Sequence, residues 1–232
     1  MQKYKAVLFD LNGTMVDDMQ YHIQGWKEAL HKCLGVDVGV ERLNREMYGK
    51  NVEVLKRLLP DRGFSPSEIR ALEKEKEERY RKNFEPHLKL LDGLYNFLFF
   101  LQDHRIKIAI GSAAIQENID FVLDGLHIRS MIDAVVSADE VKESKPSPET
   151  YLQCASKLQL PPAECLVFED NPNGVLSAQR AGMDAVVVMT MHGPDDFVGL
   201  DNVKAFVADF TDPILREIME GNFDETINKG SL

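Results

Sequence analysis

The chain has 232 residues, 44% of them hydrophobic, and can therefore bury a sizeable core as one large domain or two unequal ones. Its formal charge of −11, from 27 basic and 38 acidic residues, argues against nucleic acid or an anionic membrane as the main partner. Three widely spaced cysteines, no signal-peptide layout and no run of about 18 apolar residues predict a cytoplasmic protein without a transmembrane helix.

The first predicted element is a buried strand over Ala6–Phe9, an apolar run of the kind that parallel sheets contain. The sequence Asp-Leu-Asn-Gly-Thr follows at 10–14, so the strand delivers the Asp10 carboxylate to its carboxyl end and Gly13 allows a sharp exit. Ligands of open α/β sheets bind at that edge. Asp10 is therefore the first candidate functional residue.

Residues 15–88 show helical periodicity and no convincing strand. A capping box at 65–68, with proline at its first helical position, predicts the start of a helix. The charged run at 73–82 lies inside that helix, and such a run usually forms a solvated face. We predict a core domain of residues 1–14 and 89–232, with a helical cap domain of residues 15–88 inserted after the first strand.

After residue 90, short apolar runs alternate with helical stretches. We predict strands at 106–110, 134–136, 165–168 and 185–189, and helices near 93–103, 115–124, 148–159 and 173–181. Alternation of this kind is typical of βαβ units. The predicted fold class is therefore α/β, with a doubly wound parallel sheet and an inserted helical cap.

Four motifs lie at or just past the ends of these βα units. They are Asp10, Gly-Ser-Ala at 111–113, Lys-Pro at 145–146, which we expect to open a helix, and Phe-Glu-Asp-Asn at 168–171. A doubly wound sheet would bring them to one edge. A carboxylate can attack phosphorus, paired acids can hold Mg²⁺, and a lysine, a hydroxyl and backbone N–H groups can bind phosphoryl oxygens. Each motif alone fits a cap or a loop, but all four in order favour a phosphoryl-transfer site.

In type and order, the four motifs resemble those of the haloacid dehalogenase (HAD) superfamily, whose phosphotransferases read Asp-x-Asp-Gly-Thr/Val in the first motif. The resemblance implies that Asp10 is a nucleophile that becomes an aspartyl phosphate. It also implies that Ser112 and the backbone N–H of Ala113 grip the phosphoryl group, which Lys145 neutralises. The implied ligands of a Mg²⁺ cofactor are Asp10, the backbone carbonyl of Asn12, and Asp170, with Glu169 close by. Residues 15–88 then correspond to the helical C1 cap.

Five stretches, at 9–14, 21–22, 26–27, 112–114 and 145–148, narrow the resemblance to the β-phosphoglucomutase-like and sugar-phosphate phosphatase subfamily. In the mutase pattern a His–Lys pair of the cap contacts the active-site aspartates, and His22 and Lys76 match it. From the residues alone, His22 and Trp26 also fit the apolar face of a helix, and Lys76 either snorkels or points into a cleft. The residues that the resemblance places at the substrate are Thr14, His22, Trp26, Lys50, Lys76, Ala113 and Asn171.

The segment after Gly49 departs from the mutase pattern. In the mutase pattern, an arginine shortly after the glycine holds the distal phosphate of the substrate. In this chain, Lys50, Asn51 and Val52 follow Gly49 instead. Lys50 could substitute, but an ammonium lacks the planar bidentate fork of a guanidinium. The identity of the substrate is therefore open.

Position 12 is the second departure, because Asn12 stands where the superfamily has an aspartate that acts as general acid and base. An amide cannot supply or take that proton at neutral pH, and losing a positioned acid–base group costs about 10²–10⁴-fold in rate. The resemblance thus implies a site that binds Mg²⁺ and phosphate but turns over slowly, with Asn12 still among its catalytic positions. An introduced Asp→Asn change, natural divergence and slow deamidation at Asn12-Gly13 are three open explanations.

The leading hypothesis is a Mg²⁺-dependent phosphatase or phosphomutase that acts on a small phosphorylated metabolite, expected to be a sugar phosphate. A monomer is favoured, with no nucleic-acid or membrane partner. Superfamily dehalogenases do not need the paired metal acids, so Glu169 and Asp170 argue against that reaction. A phosphonate-cleaving relative would use a cap lysine, such as Lys50 or Lys56, as a Schiff base. A non-catalytic protein that binds metal and phosphate is the third alternative.

Overall fold

A parallel sheet of six strands forms the core of the computed structural model, which describes residues 3–221. The strands, in chain order, are β1 (Ala6–Phe9), β2 (Lys107–Gly111), β3 (Ala134–Val136), β4 (Cys165–Glu169), β5 (Asp184–Val188) and β6 (Val203–Val207). In space they follow the order β3-β2-β1-β4-β5-β6, and every pairing is parallel. The prediction of a doubly wound parallel α/β sheet is therefore confirmed.

The register of the central strands aligns the ends of the predicted motifs. Phe9 lies opposite Ile110 of β2 and Phe168 of β4, so Asp10 and Glu169 leave the sheet side by side. Because β2 and β4 flank β1, the strand order reverses at β1. Ligands of such sheets bind in the crevice at this reversal, which is where Asp10 lies.

Helices cover both faces of the sheet and also form a separate group after β1. They are α1 (Met19–Leu34), α2 (Val40–Glu46), α3 (Asn51–Leu58), α4 (Pro66–Phe84), α5 (Leu94–Asp103), α6 (Gln116–Gly125), α7 (Glu149–Leu158), α8 (Pro172–Arg180) and α9 (Ile214–Glu220). Side chains of β1 alternate between two apolar clusters: Val7 and Phe9 join α5, α6 and α9, whereas Ala6 and Leu8 join α7 and α8. Within residues 3–221, no helix combines the length and the apolar character that a membrane crossing requires.

Helices α1 to α4 share an apolar cluster of their own, to which Trp26, Leu43 and Leu55 belong. Helix α4 begins as the capping box predicted, because Ser65 Oγ accepts the Glu68 N–H at 3.3 Å and the Glu68 carboxylate accepts the Ser65 N–H at 2.9 Å. This group of helices occupies the segment expected to form the cap. The domain limits, 1–14 with 89–232 and 15–88, stay predictions.

Three details differ from the sequence-based expectation. Lys145 and Pro146 do not open a helix: they lie in a turn that contains a cis Lys145–Pro146 peptide, and α7 begins at Glu149. The charged run of α4 is not uniformly solvated, since Lys76 and Glu77 are buried where α4 packs against both α1 and α6. Strand β6 and helix α9 were not predicted, because β6 is a partly exposed edge strand without a continuous apolar run.

Candidate active site

The carboxyl edge of the sheet brings the four motifs together. Carboxylate oxygens of Asp10, Glu169 and Asp170 lie within 4.8 Å of one another, and all three residues are buried. Lys145 Nζ donates to Asp10 Oδ1 at 2.6 Å, to Glu169 Oε1 at 2.6 Å and to the Gly111 carbonyl at 2.9 Å. We call Asp10, Lys145, Glu169 and Asp170 the sheet-edge cluster.

Glu169 is fixed by donors on both of its carboxylate oxygens. The Tyr151 hydroxyl donates to Oε1 at 2.7 Å, in addition to the lysine, and the backbone N–H groups of Asp170 and Asn171 donate to Oε2 at 3.2 Å each. A side chain at position 174 would overlap this carboxylate, so Gly174 is required on steric grounds. Glu169 therefore orients the lysine, and the oxygens that could bind a metal ion belong chiefly to Asp10 and Asp170.

The loop after β1 supports Asp170 from the other side. The Thr14 hydroxyl, which is fully buried, donates to Asp170 Oδ1 at 3.3 Å. Gly13 has φ +79°, and a Cβ there would strike the Asp170 carboxylate, so glycine is required for both conformation and space. Thr14, which was expected at the substrate, thus contacts a carboxylate of the sheet-edge cluster.

Two further predicted residues lie on the wall of the cavity above the cluster. Ser112 and Asn171 both line it, together with Ala113. Ser112 Oγ accepts the N–H of Ala114 at 3.1 Å, which holds the loop after β2. Asn171 caps α8, since its side-chain oxygen accepts the Asn173 N–H at 2.9 Å.

Burial and mutual repulsion shift the acids of the cluster. Burial raises the pKa of Asp10 to about 7, with Lys145 opposing the shift and Glu169 adding to it. Burial, with the charges of Glu169 and Asp10, raises the pKa of Asp170 well above its usual range. Burial lowers the pKa of Lys145, but the attraction of Asp10 and Glu169 outweighs it and the net shift is upward. The cluster contains three carboxylates and only one lysine, so it has excess negative charge. Its carboxylate oxygens are ligands that divalent metal ions prefer, and the cluster could therefore hold such an ion.

His22 and Lys76 both line the cavity above the sheet-edge cluster. Lys76 Nζ lies 2.8 Å from His22 Nδ1, and His22 Nε2 lies 3.1 Å from Asn12 Nδ2. The exposed fractions of His22 and Lys76 are only 8% and 4%, so Lys76 points into the cleft and does not snorkel to solvent. Burial and the Lys76 charge lower the pKa of His22, which keeps its ring neutral near pH 7. Trp26 completes this wall, with its ring 5.7 Å from Lys76 Nζ.

Sequence reasoning missed the partners that surround this pair. Glu77 Oε1 accepts from Lys76 Nζ at 2.8 Å and from Asn51 Nδ2 at 2.7 Å, and Glu77 Oε2 accepts from Asn118 Nδ2 of α6 at 2.7 Å. Burial raises the pKa of Glu77, but the charge of Lys76 and the hydrogen bonds from Lys76 and Asn51 outweigh it and lower the pKa to about 2. We call Asn12, Asp18, His22, Lys76, Glu77 and Asn118 the cap–core network.

Lys50 is the predicted substrate residue that the structure places away from the others. Its Nζ donates to the Val141 carbonyl at 2.5 Å, and its backbone N–H donates to Glu53 and to Ser144 Oγ. These contacts connect the start of α3 to the loop before α7. The Lys50 ammonium is therefore engaged with core backbone and not directed at the sheet-edge cluster.

Comparison with known proteins agrees with this geometry. Residues 4–182 match the family of haloacid dehalogenase-like hydrolases. The chain is 33% identical over 193 residues to a fructose-1-phosphate phosphatase of Escherichia coli (strain K12), which covers 81% of this chain and 97% of the relative. It is 30% identical over 227 residues to a β-phosphoglucomutase of Bacillus subtilis (strain 168), which covers 93% of this chain and 96% of the relative.

A solved structure gives the same result. The crystal structure of β-phosphoglucomutase from Clostridium difficile matches with a TM-score of 0.81 at 25% sequence identity, covering 94% of this chain and 98% of that chain. The fold, the motifs and the relatives thus agree over most of the chain. The protein belongs to the haloacid dehalogenase-like hydrolases, among their phosphatases and phosphomutases.

Proposed function

We propose that this protein is a Mg²⁺-dependent phosphatase of small sugar monophosphates that works through an aspartyl phosphate at Asp10. The observation that carries the proposal is the sheet-edge cluster, where Lys145 Nζ lies 2.6 Å from both Asp10 and Glu169. The names of the relatives, a fructose-1-phosphate phosphatase and a β-phosphoglucomutase, support phosphorylated sugars as the substrate class.

The residues present fit a magnesium ion. Asp10, Asp170 and the backbone carbonyl of Asn12 would hold it, because Mg²⁺ prefers oxygen ligands and the acids lie close together. The bound ion supplies positive charge opposite the phosphoryl oxygens. Glu169, with both oxygens already engaged, keeps Lys145 in place beside Asp10.

The chain's own groups account for the transfer. Asp10 Oδ1 is bonded to Lys145, so Oδ2 is the oxygen that forms the bond to phosphorus while the bond from phosphorus to the sugar oxygen breaks. Lys145, the Ser112 hydroxyl and the Ala113 N–H bind the phosphoryl oxygens as charge shifts onto the leaving group. Water then cleaves the aspartyl phosphate and releases inorganic phosphate.

Proton transfer to the leaving group is the step for which position 12 provides no suitable side chain. A sugar alkoxide needs a proton to leave, and the Asn12 amide cannot donate one at neutral pH. We expect slower turnover on alkyl phosphates than on aryl or acyl phosphates, whose leaving groups need little protonation. The absence of an acid–base group is expected to lower the rate by about 10²–10⁴-fold.

Hydrolysis is favoured over mutase chemistry by the charges on the cap side. A mutase must hold a second phosphate, yet Lys76 is engaged by Glu77 and His22, and Lys50 is bonded to the Val141 carbonyl. The buried Glu77 carboxylate would also repel a second phosphate. The same contacts disfavour a phosphonate-cleaving reaction through Lys50, whose amine would have to face the substrate.

A substrate panel tests the proposal. The protein is assayed with Mg²⁺ on sugar monophosphates, sugar bisphosphates, aryl phosphates and acyl phosphates, with chelator-treated protein as the control. We expect release of inorganic phosphate from monophosphates, no phosphate movement within a sugar, and loss of activity on chelation. Binding of phosphorylated sugars without any turnover would instead support the non-catalytic alternative.

A further inference from the structure

Asp18 lies at the N-cap of α1 but does not cap the helix. Aspartate at this position ordinarily accepts a backbone N–H of the first turn, yet the Asp18 side chain makes no capping hydrogen bond. The carboxylate is fully buried and is bonded to other side chains instead. Its Oδ2 accepts from Asn12 Nδ2 at 2.6 Å and from the Tyr80 hydroxyl at 2.5 Å, and its Oδ1 has no partner within residues 3–221.

The side chains that bond to this carboxylate are hydrogen-bond donors. An ammonium has no lone pair, so Lys76 donates to Nδ1 of His22. Nε2 lies 3.5 Å from Asp18 Oδ2. Asn12 and Tyr80 thus donate an N–H and an O–H group to one buried carboxylate.

An aspartate at position 12 would conflict with this arrangement. An ionised carboxylate only accepts hydrogen bonds, so two acceptors would face each other where Asn12 now donates to Asp18 at 2.6 Å. Lys76 lies on the far side of His22 and is engaged by Glu77, so it cannot separate them. Removing a donor and adding a like charge beside the fully buried Asp18 carboxylate is destabilising.

We propose that Asp18 is a positioning residue that selects asparagine at position 12. By accepting a hydrogen bond from the Asn12 amide nitrogen, it leaves the Asn12 amide oxygen available to the cavity. Asn12 and Asp18 are then a matched pair native to this site, in which the carboxylate stands at 18 and the amide at 12. A single Asn12→Asp change does not restore acid–base catalysis, because it disrupts that pair. The kinetic part of this proposal rests on the proposed phosphatase function, whereas the stability part does not.

A double-mutant cycle in thermal melting tests the pairing without any assay of activity. Asn12→Asp is expected to lower Tm by about 6 °C or more. Asp18→Asn alone keeps a neutral hydrogen bond and changes Tm less, and the double variant, with amide and carboxylate exchanged, recovers most of the loss. The matched control combines Asn12→Asp with Asp17→Asn, which removes the same charge from the exposed neighbouring residue and is expected to recover nothing.

Kinetics on an alkyl phosphate complete the test. The kcat of the exchanged double variant is expected to be about 10²-fold higher than that of Asn12→Asp. Only in the double variant does the carboxylate at position 12 have no second carboxylate beside it. A purely structural Asp18 would not produce this difference in kcat between two folded variants. If Asn12→Asp does not fold but the double variant does, the pairing is supported.

The proposal is overturned if Asn12→Asp melts like the unmodified protein and gains as much activity as the double variant. Failure of both variants to fold also counts against it, since the exchanged pair should be tolerated. If no variant and not even the unmodified protein hydrolyses any phosphate, the proposed function fails, and the melting cycle still decides the role of Asp18.

Discussion

The sheet-edge cluster and the Lys76–Glu77 pair of the cap–core network hold their charges in opposite ways. In the cluster, three carboxylates share one lysine and the pKa of Asp10 is raised to about 7. In the network, Lys76 is paired with Glu77, and the pKa of Glu77 is lowered to about 2. An excess of buried charge is costly unless a ligand balances it, whereas a balanced pair needs none. The difference supports the proposed binding of a cation and a phosphoryl group at the sheet-edge cluster, whereas Lys76 and Glu77 balance each other where α4 packs against α1 and α6.

Replacement of the proposed nucleophile, Asp10, is expected to have the largest effect and tests whether the sheet-edge cluster carries the chemistry. Asp10→Asn is expected to lower kcat on the best substrate by about 10⁴-fold or more, because an amide oxygen does not form the acyl phosphate. Relief of repulsion within the cluster should keep the variant folded. Asp17→Asn removes an equal charge at an exposed position nearby and serves as the control. A kcat within tenfold of the unmodified protein would remove Asp10 from the chemistry.

Replacement of Lys76 in the cap–core network is expected to lower the free energy of unfolding. Lys76→Met leaves the Glu77 carboxylate buried without its ion-pair partner, at a cost of about 3–5 kcal/mol in the free energy of unfolding. Lys74→Met on the same helix removes an ammonium that is 76% exposed and 3.8 Å from Glu78, and should cost at most about 0.5 kcal/mol. Chemical denaturation of both variants makes the measurement. Equal costs would show that Lys76 and Glu77 are not a buried pair in solution.

Acid should weaken the network through Glu77. The pKa of this residue is about 2 in the folded protein against 4.5 as its ordinary value, so its carboxylate contributes stability that is fully present above about pH 4.5. As the pH falls from there towards 2, about 3 kcal/mol is lost. Glu77→Gln should flatten this part of the stability–pH curve relative to the unmodified protein. Parallel curves between pH 5 and pH 2 would contradict the assignment.

The two regions also differ in how far the sequence predicted them. Asp10, Glu169 and Asp170 were predictable because they lie at the ends of two buried strands, and neighbouring parallel strands bring such residues to one edge. Lys145 lies in the turn before α7 and was identified from the Lys-Pro motif. Glu77 was not predictable, because it follows Lys76 directly and adjacent helical residues do not share a face. Asp18 occupies a position where a cap is the usual explanation, and only the structure shows that no capping bond forms. Asn118 meets Glu77 only through the docking of α4 on α6, which no local pattern records.

Magnesium gives the smallest and most direct test of the charge excess. If Asp10 and Asp170 hold the ion, Mg²⁺ at 100 times its Kd should stabilise the folded protein by about 2.7 kcal/mol, which corresponds to a rise in Tm of roughly 5–10 °C. Asp170→Asn should abolish most of that rise, because it removes one of the two carboxylates with an oxygen available to the metal. Asp195→Asn, at an exposed position, should keep it. The comparison is made by melting each protein with chelator and with Mg²⁺ at fixed ionic strength, so that screening is equal. An equal rise in all three proteins would place the ion elsewhere, and the excess negative charge of the sheet-edge cluster would then need another partner.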